Sequence, residues 1–165
     1  MTQRPFVPWP DKRLSTVCAP VEAITDEIRQ IWADMVETMD AMPGYGLAAP
    51  QIGVMQRLAV VDCSQERGKA VLLANPEVIV ASKELRAHEE ASPNMPGVSA
   101  RLKRPEKVSV AFTDRMGMRV RQDFEGLWAT SVQHQIDHLN GKMFIDRLSR
   151  TKRDMLIKKF RKQSA

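Results

Sequence analysis

Helical spacing is confined to the two ends of this chain, and that placement limits the folds open to it. Near the start, Ile24, Ile28, Ile31, Trp32, Met35, Val36 and Met39 recur at the interval of one helix face. Thr25 suits an N-cap, Asp26 and Glu27 suit a first turn, and Pro43-Gly44 ends the pattern, so the spacing predicts a helix over Thr25 to Met39. Near the end, Gly126 to Leu139 reads as a second helix closed by Asn140-Gly141, and Thr151 to Lys162 as a third with Met155, Leu156 and Phe160 on its apolar side. Between them the signals are of strands. Leu58 to Asp62 is a short apolar run, and Val71 to Ala74 and Val78 to Ala81 follow, separated by the turn signal Asn75-Pro76. Lys107 to Thr113 and Met118 to Asp123 flank a turn at Asp114 to Gly117. Two prolines hold Glu89 to Pro96 extended. Strands grouped together, rather than alternating with helices, give an α+β class: mixed or antiparallel strands around a central helix, with a C-terminal helix. At 165 residues the expectation is a single domain spanning 1–165.

Charge and cysteine content narrow the function classes. The net charge is +5, yet Arg147 to Lys162 alone holds eight Lys/Arg against one acid, Asp154. The excess is therefore a basic tail on an otherwise slightly acidic chain. Cys18 and Cys63 show neither metal-type pairing nor a disulfide framework, which fits a reducing compartment. No apolar run reaches the roughly 20 residues of a membrane span, and the proline-rich start lacks a signal-peptide core. The expected location is the cytoplasm, with no membrane partner.

The chemistry-bearing segment is His134-Gln135-Ile136-Asp137-His138. Histidines four apart share one helix face, the HxxxH arrangement, and can grip one cation. Alone, so short a pattern is more often a coincidence of surface residues. Its context is richer. Gln133 to Ser149 resembles the third motif of peptide deformylases, QHExDHLxGxLFxDRxS. Gly44-Tyr45-Gly46-Leu47-Ala48-Ala49-Pro50-Gln51-Ile52-Gly53 is similar to the first motif, GxGxAAxQxG. Glu90 to Gly97 aligns with the second, EGCLSxPG. The order agrees and the likeness covers nearly the whole chain, so the chain resembles the peptide deformylase family throughout.

That resemblance implies a divalent metal, iron or zinc, held by a cysteine and two histidines. It also implies a base between the histidines and an oxyanion site made by a glutamine and the backbone N–H after the cysteine. His134 and His138 occupy the histidine positions and Gln51 the oxyanion glutamine. The cysteine position is Ser92, a poor ligand because a hydroxyl does not ionise as a thiol does. Pro93 follows and has no N–H. The base position is Gln135, whose amide cannot accept a proton. Two histidines alone usually make too weak a metal site. Gly44, Gly46, Gly97, Thr130 and Ser131 are implied to line the peptide groove, with the two hydroxyls either making it more polar or being solvated or bonded to backbone carbonyls. Ser99 stands where an arginine often grips the peptide, with Arg101 nearby. The expectation drawn from Ser92, Pro93 and Gln135 is a homologue without normal deformylase activity, binding nascent peptide N-termini or, through its basic C-terminal helix, the ribosome. The alternative is a working metal-dependent deformylase acting on N-terminal formylmethionine.

Overall fold

A computed structural model describes residues 2–164. The strands are β1 (Gly46–Ala48), β2 (Leu58–Val61), β3 (Val71–Ala81), β4 (Leu85–Glu90), β5 (Ala100–Pro105), β6 (Lys107–Thr113) and β7 (Arg119–Glu125). The helices are α1 (Asp26–Ala41), α2 (Leu127–Leu139) and α3 (Arg150–Ser164). Five strands form one sheet in the order β1-β2-β3-β6-β7, and β4 and β5 pair separately; every one of these pairings is antiparallel. The α+β class and the C-terminal helix are as the sequence implies.

β2 is buried at all four positions because both faces of the sheet are covered there. Leu58 and Val60 join Trp32, Met35 and Met39 of α1 on one side, whereas Ala59 and Val61 join Val132, Ile136 and Leu139 of α2 on the other. This is why its sequence is an unbroken apolar run instead of an alternation. Each such fully buried Leu or Val contributes about 1.5–3 kcal/mol relative to exposure. β6 has α2 on one face only, so Val108, Val110 and Phe112 alternate with less buried residues. A third cluster joins Val7 and Leu14 to Met95, Leu102 and Phe144, with Leu156, Ile157 and Phe160 of α3 packed against it.

Two strand expectations change. Val71 to Ala81 is one strand, not two. Asn75 turns to a φ of 48°, and the register of β3 with β6 shifts between Ala74 and Glu77. The Asn75 side chain binds Val21 through both its N–H and its C=O, at 2.8 Å each. The chain thus absorbs Asn75-Pro76 as a bulge instead of turning. The β4–β5 hairpin was not expected as paired strands. Its buried ends carry Glu90 and Arg104, 5% and 1% exposed, so charge hides the apolar alternation that would announce it.

Gly141 ends α2 for two reasons. Its φ is +75°, and a Cβ there would lie 2.9 Å from the Ser15 backbone. That close approach holds the N-terminal segment against the end of α2, where Cys18 N–H donates to Leu139 C=O at 2.9 Å.

Candidate active site

One face of α2 forms the wall of a cleft of about 480 Å³, presenting Leu127, Thr130, Ser131, His134 and Gln135. Met42, Pro43 and Gly44–Gly46 form the opposite side, and Glu89 to Pro93, at the end of β4 and beyond, cross with Gln51. Sequence-expected residues from three separate segments thus meet: Gly44, Gly46, Gln51, Ser92, Pro93, Thr130, Ser131, His134 and Gln135. His138 lies one turn deeper and is 1% exposed. Gly97 is not among the cleft residues; it sits at φ +86° beside Gln163 of α3.

His134 Nδ1 lies 2.8 Å from Glu90 Oε1, so the ring N–H points at the carboxylate and the Nε2 lone pair points inward. His138 Nε2 is 3.2 Å from it. Burial, then the neighbouring His134, holds the His138 imidazole well below its usual pKa, so it is neutral at physiological pH. Its Nδ1 is buried without a partner. Adjacent corners of a tetrahedral cation with bonds of about 2.0–2.1 Å are about 3.3 Å apart, so the two Nε2 atoms fit two corners of such an ion. The third corner is the difficulty. Among the described residues no three His, Cys, Asp or Glu are arranged so that they could hold one metal ion together. Ser92 offers only a hydroxyl, donating to Asn94 Oδ1 at 3.0 Å and accepting from Gln51 Nε2 at 3.2 Å. Cys63 does not substitute for it, because burial pushes that thiol up to about 12 and it faces Tyr45.

Behind the histidines is a buried ionic lattice that the sequence did not reveal. Arg104 donates from Nε and Nη2 to Glu90 at 2.7 and 2.8 Å, and from Nη1 to Asp137 at 3.0 Å. Arg147 closes on the same Asp137, its Nη2 at 2.9 Å from Oδ1. Burial alone would raise both carboxyls; hydrogen bonds from His134 and Arg104 to Glu90, and from Arg147 with the Arg104 charge to Asp137, outweigh it and hold both below the usual range. The signal available was Asp137 between the histidines, with Arg104 upstream and Arg147 downstream given no role.

Gln51 is held by three side-chain bonds. Its Oε1 accepts from Ala48 N–H at 2.9 Å, and Nε2 donates to Asn94 at 2.8 Å as well as to Ser92. Asn94 is a further residue the motifs did not single out; it donates to Val7 and Gln51 carbonyls and fixes the loop that carries Ser92. The two hydroxyls on α2 are both engaged. Ser131 donates to Tyr45 C=O at 2.9 Å and Thr130 Oγ1 meets His88 Nδ1 at 2.8 Å. Neither bonds within its own helix: Ser131 reaches a backbone carbonyl of the facing segment and Thr130 a histidine of β4.

Comparison with known proteins decides the kinship. A family model described as Polypeptide deformylase matches residues 3–154. The chain belongs to the peptide deformylase family. It is 46% identical to a "Peptide deformylase" of Methylocella silvestris, over 98% of this chain and 85% of that one. Bradyrhizobium diazoefficiens has a "Peptide deformylase-like" protein at 44% (99% and 96% covered) and a "Peptide deformylase" at 45% (98% and 97% covered). The crystal structure of peptide deformylase from Ehrlichia chaffeensis superposes with a TM-score of 0.92 at 34% identity, covering 99% of this chain and 97% of that one. That from Legionella pneumophila gives 0.92 at 38%, covering 99% and 96%.

This overturns the expectation of a homologue without deformylase activity. That expectation weighed Ser92, Pro93 and Gln135 together as three altered parts of the machinery, whereas the likeness to relatives named peptide deformylase extends over the whole chain at 45–46% identity. The physical reason lies around those three positions. The imidazole pair, the carboxylate that orients it and the Gln51 donor form one buried, hydrogen-bonded arrangement at a deformylase cleft. The doubt over a divalent metal is withdrawn with it, since the family is metal-dependent.

Gly46 tests the cleft directly. A Cβ there would lie 2.6 Å from both Gln135 Nε2 and Ser131 Oγ. Gly46→Ala is expected to destabilise the protein by about 1–3 kcal/mol through overpacking. Thermal unfolding checks it; an unchanged midpoint would show that the wall yields freely.

Proposed function

We propose that this chain is a metal-dependent peptide deformylase of the cytoplasm, hydrolysing the formamide bond at N-terminal formylmethionine of new polypeptides and releasing formate. The observation that carries the reading is the His134–His138 Nε2 pair, 3.2 Å apart at the inner end of a cleft that also holds Gln51. His134 and His138 would hold a divalent cation, with the Ser92 hydroxyl at the third position. Such an ion, when bound, polarises a carbonyl oxygen and acidifies a nearby water.

The residues supply the rest. β1 is an edge strand of its sheet, and Gly44–Gly46 leads into it along the cleft. An extended peptide adds to such an edge through backbone hydrogen bonds. The methionine side chain is read as entering between Met42, Tyr45 and Leu127, where the internally bonded Thr130 and Ser131 leave little free polarity. Gln51 Nε2 is the donor for the developing oxyanion, exchanging its longer bond to Ser92 for the substrate oxygen. Pro93 adds no second donor. Gln135 orients the attacking water by its amide, as glutamines do where a water must be aimed without a base.

The test is formate release from a formylmethionyl peptide by protein loaded with iron, nickel, cobalt or zinc. Cation-dependent release, lost in His134→Ala, is expected. No release with any of the four would end this reading.

The same reading sets the basic face of α3 against ribosomal RNA where nascent chains emerge. α3 packs through Leu156, Ile157 and Phe160, while Lys152, Lys158, Lys159 and Lys162 remain exposed. Replacing those four lysines by Gln is expected to weaken ribosome binding and to flatten its log–log salt slope by close to one per lost phosphate contact, with thermal stability unchanged. An unaltered slope in a sedimentation assay would remove the contact.

A further inference from the structure

α3 is the least embedded helix of the fold. None of its residues is buried. It is held by Leu156, Ile157 and Phe160 against the cluster that contains Val7, Leu14 and Met95. An element with so few buried contacts lies at the low end of local stability. Its C-terminal half grips Trp9. The Phe160 ring meets the Trp9 ring edge-to-face, with centroids 5.8 Å apart at 89°. The Arg161 guanidinium lies over the Trp9 ring at 5.5 Å from its centroid. Both geometries attract beyond the area they bury.

Trp9 in turn holds the loop that carries Ser92. Its N–H donates to the Asn94 C=O at 2.9 Å. The Asn94 side chain is 1% exposed and has both polar atoms engaged. Nδ2 donates to the Val7 and Gln51 carbonyls at 2.6 and 2.9 Å. Oδ1 accepts from Gln51 Nε2 at 2.8 Å and from the Ser92 hydroxyl at 3.0 Å. The aim of Gln51 Nε2 therefore depends on where Asn94 stands. Met95, the next residue, is fully buried and joins the same cluster as Leu156 and Phe160. Phe160 with Arg161, Trp9, Asn94 and Gln51 form one contiguous run of contacts from α3 into the cleft.

We infer that Trp9 is a positioning residue for the hydrolysis: clasped by Phe160 and Arg161, it fixes Asn94 and so aims the Gln51 amide at the substrate oxygen, which ties the seating of α3 to turnover. The inference rests on the reading of Gln51 as the oxyanion donor of a deformylase, and extends it to residues outside the cleft. Such a donor acts more in the transition state than in the ground state, so its aim is read in kcat and not in KM.

The test measures kcat and KM for formate release from a formylmethionyl peptide by the cation-loaded full chain. Alongside, it follows the Gln51 side-chain amide resonance of the ¹⁵N-labelled protein, assigned by its absence in Gln51→Glu. Trp9→Ala is expected to lower kcat by about tenfold with KM within about twofold, and to shift that resonance. Trp9→Phe keeps a ring for Phe160 and Arg161 to hold, and should bring kcat back to within about twofold of the wild type. Phe160→Ala combined with Arg161→Gln leaves Trp9 in place but unclasped. It should reproduce the loss, add little to it in the Trp9→Ala background, and serves if Trp9→Ala folds poorly. Rates are compared at a temperature where circular dichroism shows each variant folded. Unchanged kcat in both the Trp9→Ala and the unclasped protein, a loss confined to KM, or a fall in kcat with the Gln51 resonance unmoved would overturn the inference. A shifted resonance in a protein that releases no formate would remove the proposed activity and leave the positioning of Gln51 by Trp9 standing. Formate release with kcat and resonance both unmoved would remove the inference alone.

Discussion

Arg104→Met is expected to lower stability by about 3–5 kcal/mol, the cost of leaving buried carboxylates without their cation. The side chain is 1% exposed and reaches both Glu90 and Asp137, with three hydrogen bonds of 2.7–3.0 Å. For a chain of this length that is a fall in thermal midpoint of about 6–20 °C. The pH dependence identifies the cause. Both carboxyls are held below their usual range in the folded protein. A depressed folded pKa contributes stability that is fully present above the unfolded value near 4 and is lost as pH falls through the lower folded value. Without Arg104, burial prevails, and acid relieves the strain by protonating the carboxyls. The gap between wild type and variant should therefore narrow from pH 7 toward pH 4. Urea unfolding across that range measures it, and a gap independent of pH would refute the electrostatic account. The lattice matters to function because Glu90 is also the group that orients His134. Arg104→Met should loosen the imidazole as well as the fold.

Gln135→Glu is expected to raise formate release by about 10²–10⁴, the usual contribution of a positioned acid or base. The amide aims a water but cannot take its proton; a carboxylate of the same shape does both. Gly46, without a Cβ, leaves the space in which either side chain lies. The variant should also gain an acid limb in its pH–rate profile, with the rate falling as the new carboxyl is protonated. The wild type has no such limb from this position. Equal or slower turnover by a folded, cation-loaded Gln135→Glu protein would show that proton removal does not limit the reaction. The two effects are separable: Arg104→Met is read mainly in stability, Gln135→Glu mainly in rate.

Helix positions were legible because their signals are local. Thr25 accepts the Ile28 N–H as an N-cap, and Gly141 closes α2 in a left-handed turn. The cleft was legible in part because three motifs name residues that the fold brings together, although His134 and Ser92 are far apart along the chain. What was not legible depended on partners distant in sequence. Asn75-Pro76 reads as a turn until Val21 supplies both hydrogen bonds that carry the strand through it. Nothing near Arg104 in the sequence names its partners; Glu90 and Asp137, which enclose it, are 14 and 33 residues away.

By itself, the sequence determined the α+β class, the family, the neutrality of positions 92 and 135 and the imidazole pair on one helix face. The class and the pair follow from periodicity, the neutrality from residue chemistry and the family from resemblance in three ordered motifs, none of which needs a spatial neighbour to be known. Only the tertiary structure decided that Glu90 and Asp137 are neutralised by Arg104 and Arg147 behind the imidazole pair, because that pairing joins residues distant in sequence. The HxxxH pair is thus a feature of the sequence, and the ionic lattice that orients it is a property of the fold.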